Sequence, residues 1–263
     1  MLDHRVARDM VRRGVSMFYS DKECDATYLL NLAEEKISRM LAKRSSLREV
    51  RRMLEREVSP KLTANGLICN VEGKGNRRYT VWATTGDESV GICLSAYSWN
   101  LETGVFSTGH PFITTPHAIA RYAQRARKDD VMEFLPVLAQ HTYSIFNYCY
   151  WFAHAHCKQF AFPYDGGLFV GRIEERALHA TTWFEPGSNG RASRWARFAE
   201  QFCDTGWPER LVEVFDDEYY DCLTRYLAKN FDNDGIIRRY PFLLEDYVRV
   251  PDPDDDVWTG AGQ

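Results

Sequence analysis

Residues 129–160, DDVMEFLPVLAQHTYSIFNYCYWFAHAHCKQF, constrain the fold of this chain more than any other stretch. The segment is long and apolar on nearly every side of a helical wheel, and a soluble helix of that kind must be covered all round. Unbroken apolar runs are only a few residues long throughout the chain, too short for a membrane span. The cover must therefore come from the chain itself. The sequence predicts a buried central helix within residues 130–160, with Pro136 expected to break or kink it.

The flanking sequence supplies the wrapping. Residues 4–14 and 23–58 read as helices. In DATYLLNLAEEKISRMLAKR, the residues Leu29, Leu32, Ala33, Ile37, Met40 and Leu41 recur at helical spacing. In SSLREVRRMLEREV, Ser45 or Ser46 is the expected N-cap, and Leu47, Val50 and Leu54 share a face. Arg48, Arg51, Arg52 and Arg56 fall mostly on the other face, as a phosphate-facing surface or as a solvated face paired with Glu49, Glu55 and Glu57.

Pro60 is expected to end this helical segment. The texture then changes to GLICNVEG, RRYTVWATTG, SVGICLSAYSWN and GVFSTGHPFITT, rich in β-branched and aromatic residues and punctuated by Gly, Asn and Asp. These read as antiparallel strands joined by short turns. After the central helix, GGLFVGRI and ALHATTWF form a second β pair, and helices resume from residue 190. The predicted class is α+β, a mainly antiparallel sheet packed by helices with helical N- and C-terminal segments. The expected organisation is a helical segment 1–60, an α+β core 61–190, a helical segment 191–248 and an acidic, disordered tail 249–263.

Charge divides along the same lines. Residues 1–61 carry 14 Lys/Arg against 10 Asp/Glu, residues 62–199 carry 13 against 11, and residues 200–263 carry 6 against 16. A mildly basic body with an acidic end suits a nucleic-acid partner, or a protein partner met through the helical flanks or the tail. The opening MLDHRVARDMVRRG has no apolar signal-peptide core, and the seven cysteines are scattered. These features predict reduced thiols and a cytoplasmic setting.

The most suggestive local pattern is FITTPHAIARYAQRARKDD, residues 112–130. Thr115 is a good N-cap and Pro116 suits the first helical position. At about 100° per residue, Arg121, Gln124, Arg125 and Lys128 fall within about 80° of His117, opposite an alanine-rich apolar side. A helix start favours an anion and disfavours a protonated imidazole. His117 could then act as a base while Arg121 and Arg125 grip phosphate oxygens and Gln124 and Lys128 extend the contact. On the strand ALHATTWF, alternation places His179, Thr181 and Trp183 on one face as complementary catalytic and base-stacking groups.

The succession Thr-Pro-His117-Ala118-x-x-Arg121-x-x-x-Arg125, followed by a helix and two strands ending near Thr181–Thr182, resembles the H-A-x-x-R-x-x-x-R helix of small bacterial toxin domains of the barnase/RelE-like group. The resemblance covers residues 113–184. It implies a metal-independent, cofactor-free ribonuclease or RNA-binding toxin or effector, with His117, Arg121 and Arg125 as its catalytic or RNA-binding positions. The long helical segment has no counterpart in such domains, and neither do the N-terminal helices or the acidic C-terminal third. A non-enzymatic interaction protein, docking through its Arg-rich helix and acidic tail, is the alternative expectation.

Other constellations lead elsewhere. His154 and Cys157 lie on a different helix face from Cys149 and His156, so they cannot easily share a metal. DNDG at 232–235 lacks the twelfth-position glutamate of a calcium loop. GKGN sits between strands and is no phosphate loop, and GxSxG is absent.

Overall fold

The computed structural model describes residues 3–20, 22–72, 77–174, 177–184, 194–195, 197–198, 217–230 and 233–246. Helix α1 spans His4–Ser20 and α2 spans Lys22–Ala42. Helix α3, Leu47–Met53, runs through a π-helical turn, Leu54–Val58, into α4, Ser59–Ala64. Ser46 and Glu49 form a reciprocal capping box at the start of α3: Ser46 Oγ accepts from the Glu49 N–H and the Ser46 N–H donates to Glu49 Oε2. Pro60 does not end the helical segment as expected. It sits in the first turn of α4, where its missing N–H breaks no intrahelical bond. Acids partner the basic surface of this region, with Arg51 against Glu55 and Lys36 against Glu57.

Four strands follow where the sequence predicts them: β1 Ile68–Glu72, β2 Arg78–Asp87, β3 Gly91–Asn100 and β4 Phe106–Thr114. Helix α5 is Pro116–Arg125 and the apolar stretch is α6, Val131–His154. Pro136 lies in the second turn of α6 and the helix continues through it. The chain then leaves the helix, and Gln159–Tyr164 forms β5. Asp165 and Gly166, with φ of 50° and 73°, make a two-residue turn into β6, Gly167–Glu174. Two successive positive φ values are what a twisted two-residue hairpin needs. Strand β7, Ala177–Phe184, completes the second β unit. Beyond it, Asp217–Asn230 (α7), Asn233–Arg239 (α8) and a 3₁₀ turn, Pro241–Leu244, are described. The acidic tail lies outside the described residues, as does most of the helical stretch expected at 191–216.

The seven strands form one sheet in the order β1-β2-β3-β4-β7-β6-β5. Every neighbouring pair is antiparallel except β4 and β7, which run parallel over Phe112–Thr114 and Leu178–Ala180. The protein is therefore α+β, with a mainly antiparallel sheet packed by helices. Alternation along the strands feeds two cores. The larger joins Ala7, Val11 and Val15 of α1, the apolar side of α5, most of α6, and Ile92, Leu94, Phe112, Leu178 and Ala180 of the sheet. The smaller packs Ile37, Val50, Leu54 and Leu62 of α2 to α4 and the π turn against Tyr79, Val81, Ala83 and Trp99. The N-terminal helices are thus divided between the two cores.

Candidate functional site

Helix α5 starts as its sequence dictates. Thr115 Oγ1 accepts from the Ala118 N–H at 3.2 Å and donates to the Ala180 carbonyl at 3.0 Å. Its expected polar stripe does not stand open to solvent. Every residue from Ala118 to Gln124 is buried, because α1 packs along the helix on one side and β7 on another. Arg121 is 1% exposed, and its Nη1 donates to the buried Gln124 Oε1 at 2.7 Å. His117 is half-buried and meets His4 of α1 edge-on, ring centroids 5.3 Å apart. Arg125 is exposed and donates through Nη1 to the Trp183 carbonyl. Lys128 pairs at 2.9 Å with Asp165 in the β5–β6 turn, and the same carboxylate accepts from Tyr122. The stripe is largely spent on tying α5 to its neighbours.

Strand β7 departs from simple alternation. The β6–β7 register shifts between Val170↔Thr182 and Gly171↔Ala180, which leaves Thr181 as the extra residue of a bulge. A bulge resets the alternation, so Trp183 turns to the same side as Leu178 and Ala180. It is 1% exposed, and its indole N–H donates to the Tyr164 carbonyl at 3.1 Å. The expectation that Trp183 shares a face with His179 and Thr181 is therefore corrected. Buried on both ring faces, Trp183 presents no surface for stacking on a base. Thr181 Oγ1 donates to the Val170 carbonyl. Leu178 and Ala180 pack in the core with α5, so alternation directs His179 to the opposite face from that helix. The expected juxtaposition of His117 and His179 does not form.

His179 instead lines a cleft of about 890 Å³ that opens where β4 and β7 part. These strands share three register pairs at the C-terminal end of β4; before them in the chain, β4 follows β3 through a second bulge. The cleft is lined by Arg78, Thr80 and Trp82 of β2, Ala96 and Ser98 of β3, Gly109–Pro111 of β4, and Glu174, Ala177 and His179 around the β6–β7 turn. None of His117, Arg121 and Arg125 is among these residues. Trp82 is half-buried against Tyr143 and Phe146 of α6. Its indole N–H finds no acceptor among the described residues. Thr80 and Ser98 hydroxyls bond each other at 3.0 Å. Arg78 is exposed at the rim.

The two histidines of the cleft are held differently. Burial lowers the His179 pKa from its ordinary value; Glu174, whose carboxylate lies 3.6 Å from Nε2, offsets this, and Arg172 adds to it. His179 is thereby biased toward the neutral form, able to accept a proton. His110 is exposed, and its Nδ1 lies 2.9 Å from the Ser95 hydroxyl. Sequence reading passed over Arg78, Trp82 and His110. Their strands were identified, but the cleft depends on two bulges and on the β4–β7 parallel pairing, and of these only the bulge in β4 carries a sequence signal. The Pro after His110 was the one available signal, since proline in a strand favours a bulge or an edge.

Among the described residues, no three His, Cys, Asp or Glu side chains come together as a metal-binding group. Three of the described cysteines are disfavoured as nucleophiles: burial pushes Cys93 up to about 12, Cys157 up to about 11, and Cys149 well above its ordinary value. The chain matches no known protein family, no curated protein and no solved structure.

Proposed function

We propose that this protein binds and cleaves RNA at the cleft between β4 and β7, without a metal ion. The observation that carries the reading is the presence in one cleft of an exposed arginine, two histidines and a half-buried tryptophan: Arg78, His110, His179 and Trp82. Arg78 supplies a fork for a phosphate, and Trp82 supplies an aromatic edge for a base. His179 accepts the proton of a ribose 2′-hydroxyl, whose oxygen attacks the adjacent phosphorus. The bond to the 5′-oxygen breaks, and the proton on His179 passes to that leaving oxygen. The products are a 2′,3′-cyclic phosphate and a free 5′-hydroxyl. Arg78 and the His110 N–H stabilise the charge on the phosphorane oxygens. The reading keeps the metal-independent chemistry expected from the sequence and moves it from α5 to the sheet.

The test is cleavage of a labelled single-stranded RNA in EDTA, beside the same sequence as DNA. The expected result is RNA-only cleavage with a cyclic phosphate end, lost in His179→Ala and kept in Arg125→Ala. Undiminished cleavage by His179→Ala, or none by the parent protein, overturns the reading.

One observation favours a non-enzymatic interaction protein as the second reading. Val6, Met10, Met17 and Met132 line a groove of about 510 Å³ between α1 and the start of α6, edged by Asp9, Asp129 and Asp130 against a single cation, Arg13. Val6 is 54% exposed and Met17 63%. Methionine-lined apolar surface with a net acidic rim suits a basic amphipathic helix. On this reading Met17→Glu abolishes binding of such a peptide while His179→Ala leaves it intact.

A further inference from the structure

The β3–β4 register passes from Leu94↔Phe112 to Ala96↔Gly109, so His110 and Pro111 together oppose the single residue Ser95. This bulge aims the His110 ring at the Ser95 hydroxyl, with Nδ1 2.9 Å from Oγ. Ser95 is 1% exposed and bonds a second hydroxyl, Thr85 Oγ1, at 2.6 Å. The three groups form a short line from Thr85 through Ser95 to His110, which ends on a ring that lines the cleft.

We propose that this hydroxyl pair fixes His110 as an Nε2–H donor to an anionic phosphate oxygen in the cleft. Each hydroxyl has one hydrogen to give. If Thr85 donates to Ser95 and Ser95 donates to Nδ1, both hydrogens reach an acceptor. The reverse order, with Nδ1–H donating to Ser95 and Ser95 to Thr85, leaves the Thr85 hydrogen with no acceptor among the described residues. Thr85 is half-buried, so in the reverse order its hydrogen depends on the water that reaches it, whereas the first order satisfies both hydroxyl hydrogens within the protein and is selected. Nδ1 is then an acceptor, and the proton of the neutral ring sits on Nε2. The two histidines divide the work: His179 moves the proton, while His110, held through Ser95, places a hydrogen bond. Ser95 and Thr85 are positioning residues, because they act only through the ring.

The assignment of a phosphate to His110 rests on the RNA reading of the cleft; the hydrogen-bond order within the trio does not. The test is ¹⁵N NMR of the imidazoles in the full-length protein, followed by titration with a non-cleavable 2′-O-methyl oligoribonucleotide. In the parent protein at alkaline pH, the expected His110 signal is that of a single tautomer protonated at Nε2. In Ser95→Ala the signal moves toward the average of a free imidazole. The oligonucleotide shifts the parent Nε2–H signal, and affinity falls about tenfold in Ser95→Ala, the scale of one hydrogen bond to a charged group. The acid limb of the cleavage profile, set by His179, stays in place. An Nδ1-protonated parent ring overturns the proposed order, whatever happens to any variant. An unaltered tautomer and affinity in Ser95→Ala overturn the positioning role. A single Nε2–H tautomer in a parent protein that cleaves no RNA supports the order and rejects the RNA reading alone.

Discussion

His179 and Arg121 show how differently two polar residues of one sequence can be employed. Both were read as parts of a single site. His179 stands in a cleft, where burial biases it toward neutrality. Because its pKa is lowered, the base form persists to a pH below the ordinary 6.5 and is lost only below that. The acid limb of kcat/KM for RNA cleavage is therefore expected below pH 6.5, and a limb above it would contradict the assignment of His179 as base. Removal of the imidazole is expected to lower kcat by about 10²–10⁴-fold, the range for a lost general base, with little change in Tm. Arg121 behaves in the opposite way. It is covered on all sides and bonded to Gln124, so Arg121→Ala leaves the cleft unaltered but destabilises the fold by about 2–4 kcal/mol, as loss of a buried, bonded large side chain does. Urea denaturation measures this, and an unchanged midpoint would show α5 to be less tightly covered than described.

At the scale of elements, much was legible because the signals were local. Alternation and turn residues marked β1 to β4, Ser46 and Glu49 marked the start of α3, and Thr-Thr-Pro marked the start of α5. Strand β5 was missed because QFAFPY continues the aromatic texture of α6, although the Asp165-Gly166 turn beyond it carries a hairpin signature. The bulge at Thr181 was not legible, and the one opposite Ser95 was marked only by Pro111, because a bulge is set by the register with the partner strand. They matter most to the site: one buries Trp183, and the other presents His110. A Cβ on Gly167 would lie 2.2 Å from Trp183 Cζ2. Gly167→Ala is accordingly expected to force Trp183 out of place and lower stability by about 1–3 kcal/mol, the range for overpacking. Shifts in tryptophan fluorescence and thermal midpoint would report it.

For the whole molecule, the constraint imposed by the apolar segment was met as elementary physics requires. Helix α6 is covered by the sheet, α1 and α7. Periodicity could give each helix its apolar face, but it could not say which neighbour would cover that face. This is why periodicity alone left the α5 stripe open, whereas in the fold Arg121 and Gln124 are covered and Arg125 remains exposed. The same closure protects the thiols. With Cys93, Cys149 and Cys157 buried and all held above their ordinary pKa, a maleimide at pH 7 is expected to leave these three unmodified in the folded protein and to label them after denaturation. Labelling of any of the three in the native state would contradict the described packing.

The central claim is that ligand chemistry belongs to the cleft between β4 and β7 and not to the start of α5. The histidines that mark the two places can be followed together by NMR as a single-stranded oligoribonucleotide is added to the full-length protein. Saturable shifts of the His110 and His179 imidazole signals are expected, with His117 unmoved. Shifts confined to His117, or none at all, would contradict the central claim.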